Sequence, residues 1–309
     1  MSEYQCHEFI ALDRPLTAQQ MKDLRAISTR AEITSTRFKN EYHWGDLKAK
    51  PEKLVERYFD AYMYFANWGT HRLMLRIPAK GLEPNGLRAY FTGNAARARR
   101  AGAHLILDLH SEDEEPDYYY EEDSVSLAAI APIRAELLRG DTRPAYLAWL
   151  LAVQMGDVDD DAMEPPVRDG LSNLTAAQSA LVEFLRVDAD LLAAAATATA
   201  EGDDETAFRA WVMGLDPRAK DEWLARAVDD PELALGAALH REFRKQKPKR
   251  RPGRRVGDLC AKAKEIRSNR EQAEALAKQK KKDAAAKART KQLDTRAKGK
   301  NRRGTGSKR

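Results

Sequence analysis

The sequence predicts an α+β fold with a small mixed or antiparallel sheet and helices, followed by an all-α domain of helical hairpins and a basic tail that is helical or disordered. Two observations predict this order. Alternating and β-branched segments occur only in the first 110 residues, and helical spacing replaces them after an acidic segment. We therefore divide the 309-residue chain into domains at residues 1–123 and 124–246, with a tail at residues 247–309.

The α+β part opens with an alternating segment at residues 5–12, which predicts a strand. Thr17 then stands at an N-cap position with Gln20 three residues later, which is the pattern of a capping box at a helix start. The remaining predicted elements are a strand at 32–44, a helix at 52–67 that stops at Trp68-Gly69, a strand at 71–77, a short helix at 85–91 and a strand at 103–110.

The second part shows helical spacing throughout, interrupted by Pro and Gly. The predicted helices lie at 127–139, 145–155, 175–185, 189–200, 205–213, 218–228 and 232–243. In the tail, a weak apolar stripe begins at Val256 and gives way to residues that favour helix but have little to bury.

The charge of the chain is divided. Of its 53 Lys and Arg and 48 Asp and Glu, 27 and 7 lie in residues 241–309, a net charge of +20, which leaves 26 and 41, a net charge of −15, in residues 1–240. Such a division indicates an interaction tail. Two acidic segments at 112–123 and 157–161 are predicted as solvated loops, and the first is alternatively a docking surface or a competitor for the tail.

The tail predicts nucleic acid or the ribosome as its partner, because Lys and Arg neutralise phosphates and release counterions. No aromatic residue follows Phe243, so binding is expected without sequence specificity. Alternatively the tail aids solubility, or an acidic or basic protein partner binds the chain. The residues predicted to contact phosphate are Lys249, Arg250, Arg251, Arg254, Arg255, Lys278, Lys280, Lys281 and Lys282.

Two Trp-Gly corners predict a pocket in the α+β part. It would be lined by His43, Trp44, Asp46, Trp68 and His71, with Trp as a stacking surface and the others as polar groups. The alternative is that each Trp packs beneath its turn.

A metal site for a hydrolase or nuclease is the runner-up function. Asp108, His110 and Glu112 lie on one face of the strand predicted at 103–110 or just beyond it, and their side chains suit transition metals. His104 shares that face but lies roughly 20 Å from His110, too far to share an ion. The alternative is a polar face exposed to solvent.

Other function classes lack support in the sequence. Cys6 and Cys260 form no disulfide framework or metal-binding CxxC, no apolar run spans a bilayer, and the N-terminus does not read as a signal peptide. No nucleophile elbow, dinucleotide fingerprint, phosphate loop or HExxH occurs, so no cofactor and no catalytic residue is predicted. We expect a cytoplasmic protein that interacts with partners rather than an enzyme.

Several motifs resemble those of a family of uncharacterised bacterial proteins. They are SEYQ at residues 2–5, EF at 8–9, DRPLT at 13–17, NEYHWGD at 40–46, ANWGT at 66–70 and SEDE at 111–114. The resemblance extends from the N-terminus to about residue 243 and implies a bacterial cytoplasmic origin. It carries over no activity, cofactor or site residue, and the basic tail departs from the family's pattern.

Overall fold

The computed structural model describes residues 3–79, 87–113, 126–166, 170–197, 204–230, 233, 235–246 and 253–304. Seven strands form one antiparallel sheet. They are β1 (Gln5–Ile10), β2 (Glu32–Ile33), β3 (Arg37–Tyr42), β4 (Ala61–Ala66), β5 (His71–Pro78), β6 (Ala96–Ala101) and β7 (His104–Ser111), in the spatial order β2-β3-β1-β4-β5-β7-β6.

Two helices lie between the first strands, and the others follow the sheet in sequence. They are α1 (Ala18–Ile27), α2 (Pro51–Arg57), α3 (Leu127–Ile130), α4 (Ile133–Leu138), α5 (Arg143–Gln154), α6 (Ala176–Leu185), α7 (Ala189–Ala196), α8 (Asp204–Gly214), α9 (Pro217–Asp229), α10 (Leu235–Gln246) and α11 (Val256–Gly304), with a 3₁₀ turn at Arg88–Tyr90. The predicted fold class is confirmed. Within the described ranges, no helix combines the length and apolarity that a membrane crossing requires.

Both faces of the sheet are buried over much of their area. The front face packs beneath α1 and α2, where Phe9, Phe38 and Met74 are fully buried. The back face packs against α3 to α7 and the start of α11, with α5 buried along nearly its whole length. The back core therefore joins residues from both sides of position 123, and the domain boundaries drawn from the sequence stay a prediction.

The helix predicted at residues 52–67 is wrong in its second half. Only Pro51–Arg57 is helical, and residues 61–66 form β4, a central strand. Asp60 fixes the change of direction, because its carboxylate accepts hydrogen bonds from the backbone N–H groups of Leu12 (2.7 Å) and Asp13 (2.9 Å). The predicted stop at Trp68-Gly69 is instead the turn between β4 and β5.

One strand prediction needs correction, and one strand was missed. The strand predicted at 32–44 is interrupted, and β2 and β3 are its two pieces. Strand β6, with the sequence ARARRA, was not predicted, because an edge strand with exposed arginines shows no apolar alternation. The strands predicted at 5–12, 71–77 and 103–110 are confirmed, as is the capping box that Thr17 and Gln20 form at the start of α1.

The helical region follows the predicted order. The helix expected at 127–139 is divided at Pro132 into α3 and α4. Of the short helix expected at 85–91, the structure shows the 3₁₀ turn, and residues 80–86 lie outside the described ranges.

The acidic segment at 157–161 is more than a solvated loop. Asp157 accepts hydrogen bonds from the backbone of Asn94 (2.7 Å) and Ala95 (2.6 Å) just before β6.

Candidate functional site

A polar cleft of about 400 Å³ opens on the front face of the sheet, beside the start of α2. Five adjacent strands contribute to it in the spatial order β1-β4-β5-β7-β6. Its ionisable lining residues are His7, Asp46, Arg72, Arg97, Asp108 and His110, together with the hydroxyl-bearing Tyr62, Tyr64 and Thr70.

Strand register explains why these side chains meet. His7 of β1 pairs with Tyr64 of β4, Tyr64 pairs with Arg72 of β5, and Arg72 pairs with His110 of β7. Directly paired residues of antiparallel strands share a face, so one row of polar side chains crosses the sheet. Two residues along, the paired residues Phe9, Tyr62 and Met74 are buried in the front core. Asp108 and Arg97 continue that second row on β7 and β6 and line the cleft.

Arg72 and Asp108 form a bidentate ion pair at the middle of the cleft. The Nε and Nη2 groups of Arg72 donate to the two oxygens of Asp108 at 2.8 and 2.7 Å, and Nη2 also donates to Glu52 at 2.6 Å. These hydrogen bonds, those to Asp108 above all, raise the pKa of Arg72. Fork geometry of this kind holds both oxygens of a carboxylate. Both oxygens of Asp108 therefore accept a hydrogen bond from Arg72.

His7 lies at the bottom of the cleft and is 4% exposed. Its Nδ1 lies 3.0 Å from the hydroxyl of Tyr62, while its Nε2 has no hydrogen-bond partner and lies 3.5 Å from Oδ1 of Asp46. Burial lowers the pKa of His7 to about 4, against the opposing effect of the Asp46 carboxylate. The imidazole is therefore neutral near pH 7.

Arg97 lies at the β6 edge of the cleft. Its Nε lies 3.4 Å from the carbonyl oxygen of Gly93 and its Nη2 contacts Oδ1 of Asn94, and among the described residues it forms no ion pair. The loop before it is fixed by Asp157 as described above. Gly93 has a φ of +72°, and a Cβ there would lie 2.2 Å from Cβ of Asp157, so this loop requires glycine.

The five residues of the predicted Trp-Gly pocket do not all line this cleft; of the five, Asp46 does. Trp44 is 70% exposed and lies under the guanidinium of Arg30 at 5.1 Å. His43 packs against Tyr4 with ring centroids 5.3 Å apart, and Trp68 is 44% exposed in the turn between β4 and β5.

His71 lies on the opposite face of the sheet. It is 2% exposed, its Nδ1 lies 2.5 Å from the carbonyl oxygen of Phe184, and its ring stacks on that of Phe184 at 5.0 Å. Burial lowers the pKa of His71 to about 4. It links β5 to α6 and takes no part in the cleft.

The alternative metal site is not assembled. Nε2 of His110 lies 3.4 Å from Glu112, but Asp108 is held by Arg72. Among the residues that the structure describes, no three His, Cys, Asp or Glu side chains are arranged to hold a metal ion. The hydrolase or nuclease alternative stays a prediction.

The basic tail begins with a firmly attached segment. Arg254 donates to the buried Glu164 at 3.0 Å, Glu164 also contacts the hydroxyl of Tyr146, and Arg255 pairs with Asp161 at 2.9 Å. Two of the predicted phosphate contacts, Arg254 and Arg255, are therefore bound to acidic groups of the body. Lys249, Arg250 and Arg251 lie outside the described residues, as does most of the acidic segment at 112–123.

Helix α11 then packs along α7. Val256, Leu259 and Ala263 are buried in the back core. Beyond them, Arg267 and Arg270 bind the acidic start of α7. We name the four residues Arg267, Arg270, Asp188 and Asp190 the arginine clasp, in which Nη2 of Arg270 lies 2.8 Å from Asp190. Hydrogen bonds from Arg270 and Arg267 lower the pKa of Asp190.

Beyond the clasp the helix is exposed as far as residue 283, where the description of its side chains ends. Every residue from 267 to 283 is exposed, including Lys278, Lys280, Lys281 and Lys282. Among the residues whose side chains are described, none forms an ion pair with these four lysines. Lys278, Lys281 and Lys282 have the i, i+3, i+4 spacing that places them on one side of a helix.

Sequence reasoning missed His7, Arg72 and Arg97 as residues of the candidate site.

Comparison of the chain with protein-family models, with curated proteins and with solved structures gave no match. The functional proposals below therefore rest on the residues themselves.

Proposed function

We propose that this protein is a non-enzymatic interaction protein that binds nucleic acid, free or in the ribosome, through the exposed part of α11 and without sequence specificity. One observation supports the proposal above the others. The arginines before and within the first turns of α11 are bound by acids of the body, whereas Lys278, Lys280, Lys281 and Lys282 are exposed.

The charge of α11 from residue 278 onward is also suited to a polyanion. The sequence of α11 from 278 to 304 contains twelve Lys and Arg and two Asp. At 1.5 Å per residue this segment is about 40 Å long. Duplex DNA carries one charge per about 1.7 Å, so a helix of this charge and length can neutralise several phosphates along one side.

Two of the predicted phosphate contacts take a different role in the proposal. Arg254 and Arg255 anchor the helix to the body, and the phosphate contacts begin at Lys278. Separating the anchor from the binding segment allows nucleic acid to occupy the helix without detaching it.

The body would dock a protein partner. Apolar side chains are exposed on α8 and α9, where Met213, Leu224 and Val228 are 73%, 58% and 79% exposed. Leu224 and Val228 are four residues apart, so they lie on one side of α9, and an exposed apolar side of a helix favours protein contacts. The partner and the use of this surface stay predictions.

Binding of a labelled 20-nucleotide RNA and of a duplex DNA, measured by fluorescence anisotropy over a salt series, tests the proposal. A chain ending at Ala277 retains the clasp and should lose binding. The variant K281Q/K282Q should weaken binding and reduce the slope of log K against log salt by about 1.8 for duplex DNA, since each phosphate contact contributes about 0.9. Lys→Gln hardly changes helix propensity.

The matched control is K22Q/K48Q, which removes the same charge from two exposed lysines of the body. It should leave the slope unchanged. If the chain ending at Ala277 binds as tightly as the full chain, or if both double variants reduce the slope equally, the tail is not the binding segment. Co-sedimentation with ribosomes distinguishes the ribosome from free nucleic acid as the target.

A further inference from the structure

The cleft on the front face holds a buried donor that the protein does not satisfy. Among the described residues the hydroxyl of Tyr62 has one hydrogen-bond partner, Nδ1 of His7. If Nδ1 carried the proton, the buried hydroxyl hydrogen would have no acceptor, so the hydroxyl donates to Nδ1 and the proton of the neutral ring lies on Nε2. That N–H has no well-formed hydrogen bond, because the carboxylate of Asp46 is 3.5 Å away. A buried unsatisfied donor is costly and marks a place where a ligand can bind.

The nearest acceptor defines the group that fits there. Oδ1 of Asp46 lies 3.5 Å from Nε2 of His7, beyond a good direct hydrogen bond. A hydroxyl group placed beside both can accept from Nε2–H and donate to the Asp46 carboxylate. A carbonyl oxygen could do only the first, and an ammonium group only the second. The pair therefore fits a group that both accepts and donates, and a ligand hydroxyl is such a group.

The opposite end of the cleft selects an anion. Arg97 has no carboxylate partner among the described residues, whereas Arg72 binds the two carboxylates of Asp108 and Glu52. Four strand spacings separate β1 from β6, about 19 Å between backbones, and the long side chain of Arg97 shortens that span. Between the two ends lie the ring of Tyr64 and the Arg72–Asp108 pair, which offers no net charge.

We propose that the cleft binds a small anionic polyol, with a hydroxyl of the ligand between His7 and Asp46 and its anionic group at Arg97. A cleft of about 400 Å³ is within the range of small-molecule sites. A phosphorylated sugar and a sugar carboxylate share this chemistry. The site is independent of the basic helix, since none of these residues belongs to the tail.

Calorimetric titration of the full chain with glucose 6-phosphate, glucuronate, glucose and inorganic phosphate tests the proposal. The two anionic sugars should bind more tightly than either glucose or phosphate, and whichever binds more tightly identifies the anion. The variant R97Q should reduce the affinity for the anionic sugars about tenfold or more and leave that for glucose unchanged, because a hydrogen bond to a charged group is lost. R97K should retain part of the affinity, and R100Q, on the same strand but the opposite face, should retain all of it.

The hydroxyl end has its own test. D46A should weaken the binding of glucose and of glucose 6-phosphate by the same factor. In the wild type, the ¹⁵N resonance of the His7 imidazole should shift when glucose 6-phosphate is added. Three results would overturn the proposal: no binding of any probe at about 10 mM, far above the concentrations of typical ligands; phosphate alone binding as tightly as glucose 6-phosphate; or equal losses in R97Q and R100Q. Loss of nucleic-acid binding with the cleft intact would affect only the proposed function.

Discussion

Acidification should destabilise this protein through two buried histidines on opposite faces of one sheet. His7 and His71 are 4% and 2% exposed, and burial lowers the pKa of each to about 4. In the unfolded chain an imidazole has a pKa of about 6.5. Below that value the unfolded state binds protons that the folded state does not, so stability is full above pH 6.5 and falls as the pH approaches 4.

The size of the effect follows from the two pKa values. Between pH 7 and pH 5 each histidine should remove about 2 kcal/mol from the free energy of unfolding, and about 3 kcal/mol once the pH reaches 4. The pair should therefore cost about 4 kcal/mol at pH 5. That is a large part of the 5–15 kcal/mol typical of a folded protein, so the midpoint of urea unfolding should fall clearly.

Urea unfolding at pH 7 and pH 5 of the wild type, H7Q and H71Q measures this. The quantity compared is the loss of stability between the two pH values, which is insensitive to the cost of each substitution at pH 7. Each variant should lose about 2 kcal/mol less than the wild type. H43Q, which replaces an exposed histidine, is the control and should lose as much as the wild type. If H71Q and H43Q lose equally, burial does not hold His71 neutral and the reasoning fails.

Three further changes should act through contacts that the fold depends on. D60N should cost about 3–5 kcal/mol in urea unfolding, because it leaves the buried guanidinium of Arg76 without its anion; an effect below 1 kcal/mol would contradict this. G69A should lower the melting temperature, since a Cβ there would lie 2.2 Å from a backbone oxygen and φ is +99°; an unchanged melting temperature would show that the turn adapts. R267Q/R270Q should speed amide exchange beyond residue 267 while residues 256–263 stay protected, and equal protection in variant and wild type would mean that the clasp does not hold the helix.

The sequence contained enough information for the fold class but not for β4. Apart from Asp60, residues 58–66 are aromatic or apolar, and they satisfy helical spacing as well as a strand buried on both faces. The length of the segment predicted as one helix, residues 52–67, would have favoured a helix over a strand. The strand forms because its two neighbours in the sheet, β1 and β5, pair along its length, and that is a tertiary effect that no local pattern contains.

The candidate cleft was out of reach for a related reason. Alternation in β7 correctly put Asp108 and His110 on one face, but it could not show that Arg72 pairs across from them. His7 reads as one polar residue in a short strand. Its meeting with Asp46 depends on sheet order and on a loop between β3 and α2, and neither leaves a spacing that sequence alone can recognise.

The tail was better predicted because its features are local. Charge and helix propensity are properties of the segment itself, so a basic tail, helical or disordered, could be expected from the sequence. The clasp could not, since Asp190 and Arg270 are 80 residues apart in sequence.

The clasp also determines how far the basic segment stands from the acidic body. Lys278 follows Arg270 by eight residues, which is about 12 Å along the helix axis, and Lys282 lies about 18 Å away. Both distances exceed the Debye length of about 8 Å at physiological ionic strength. Mobile ions therefore largely screen the acids of the clasp from these lysines. A polyanion lying along the far half of this helix would feel little repulsion from the acidic domain to which the helix is fixed, so one chain can hold two opposite charges without either cancelling the other.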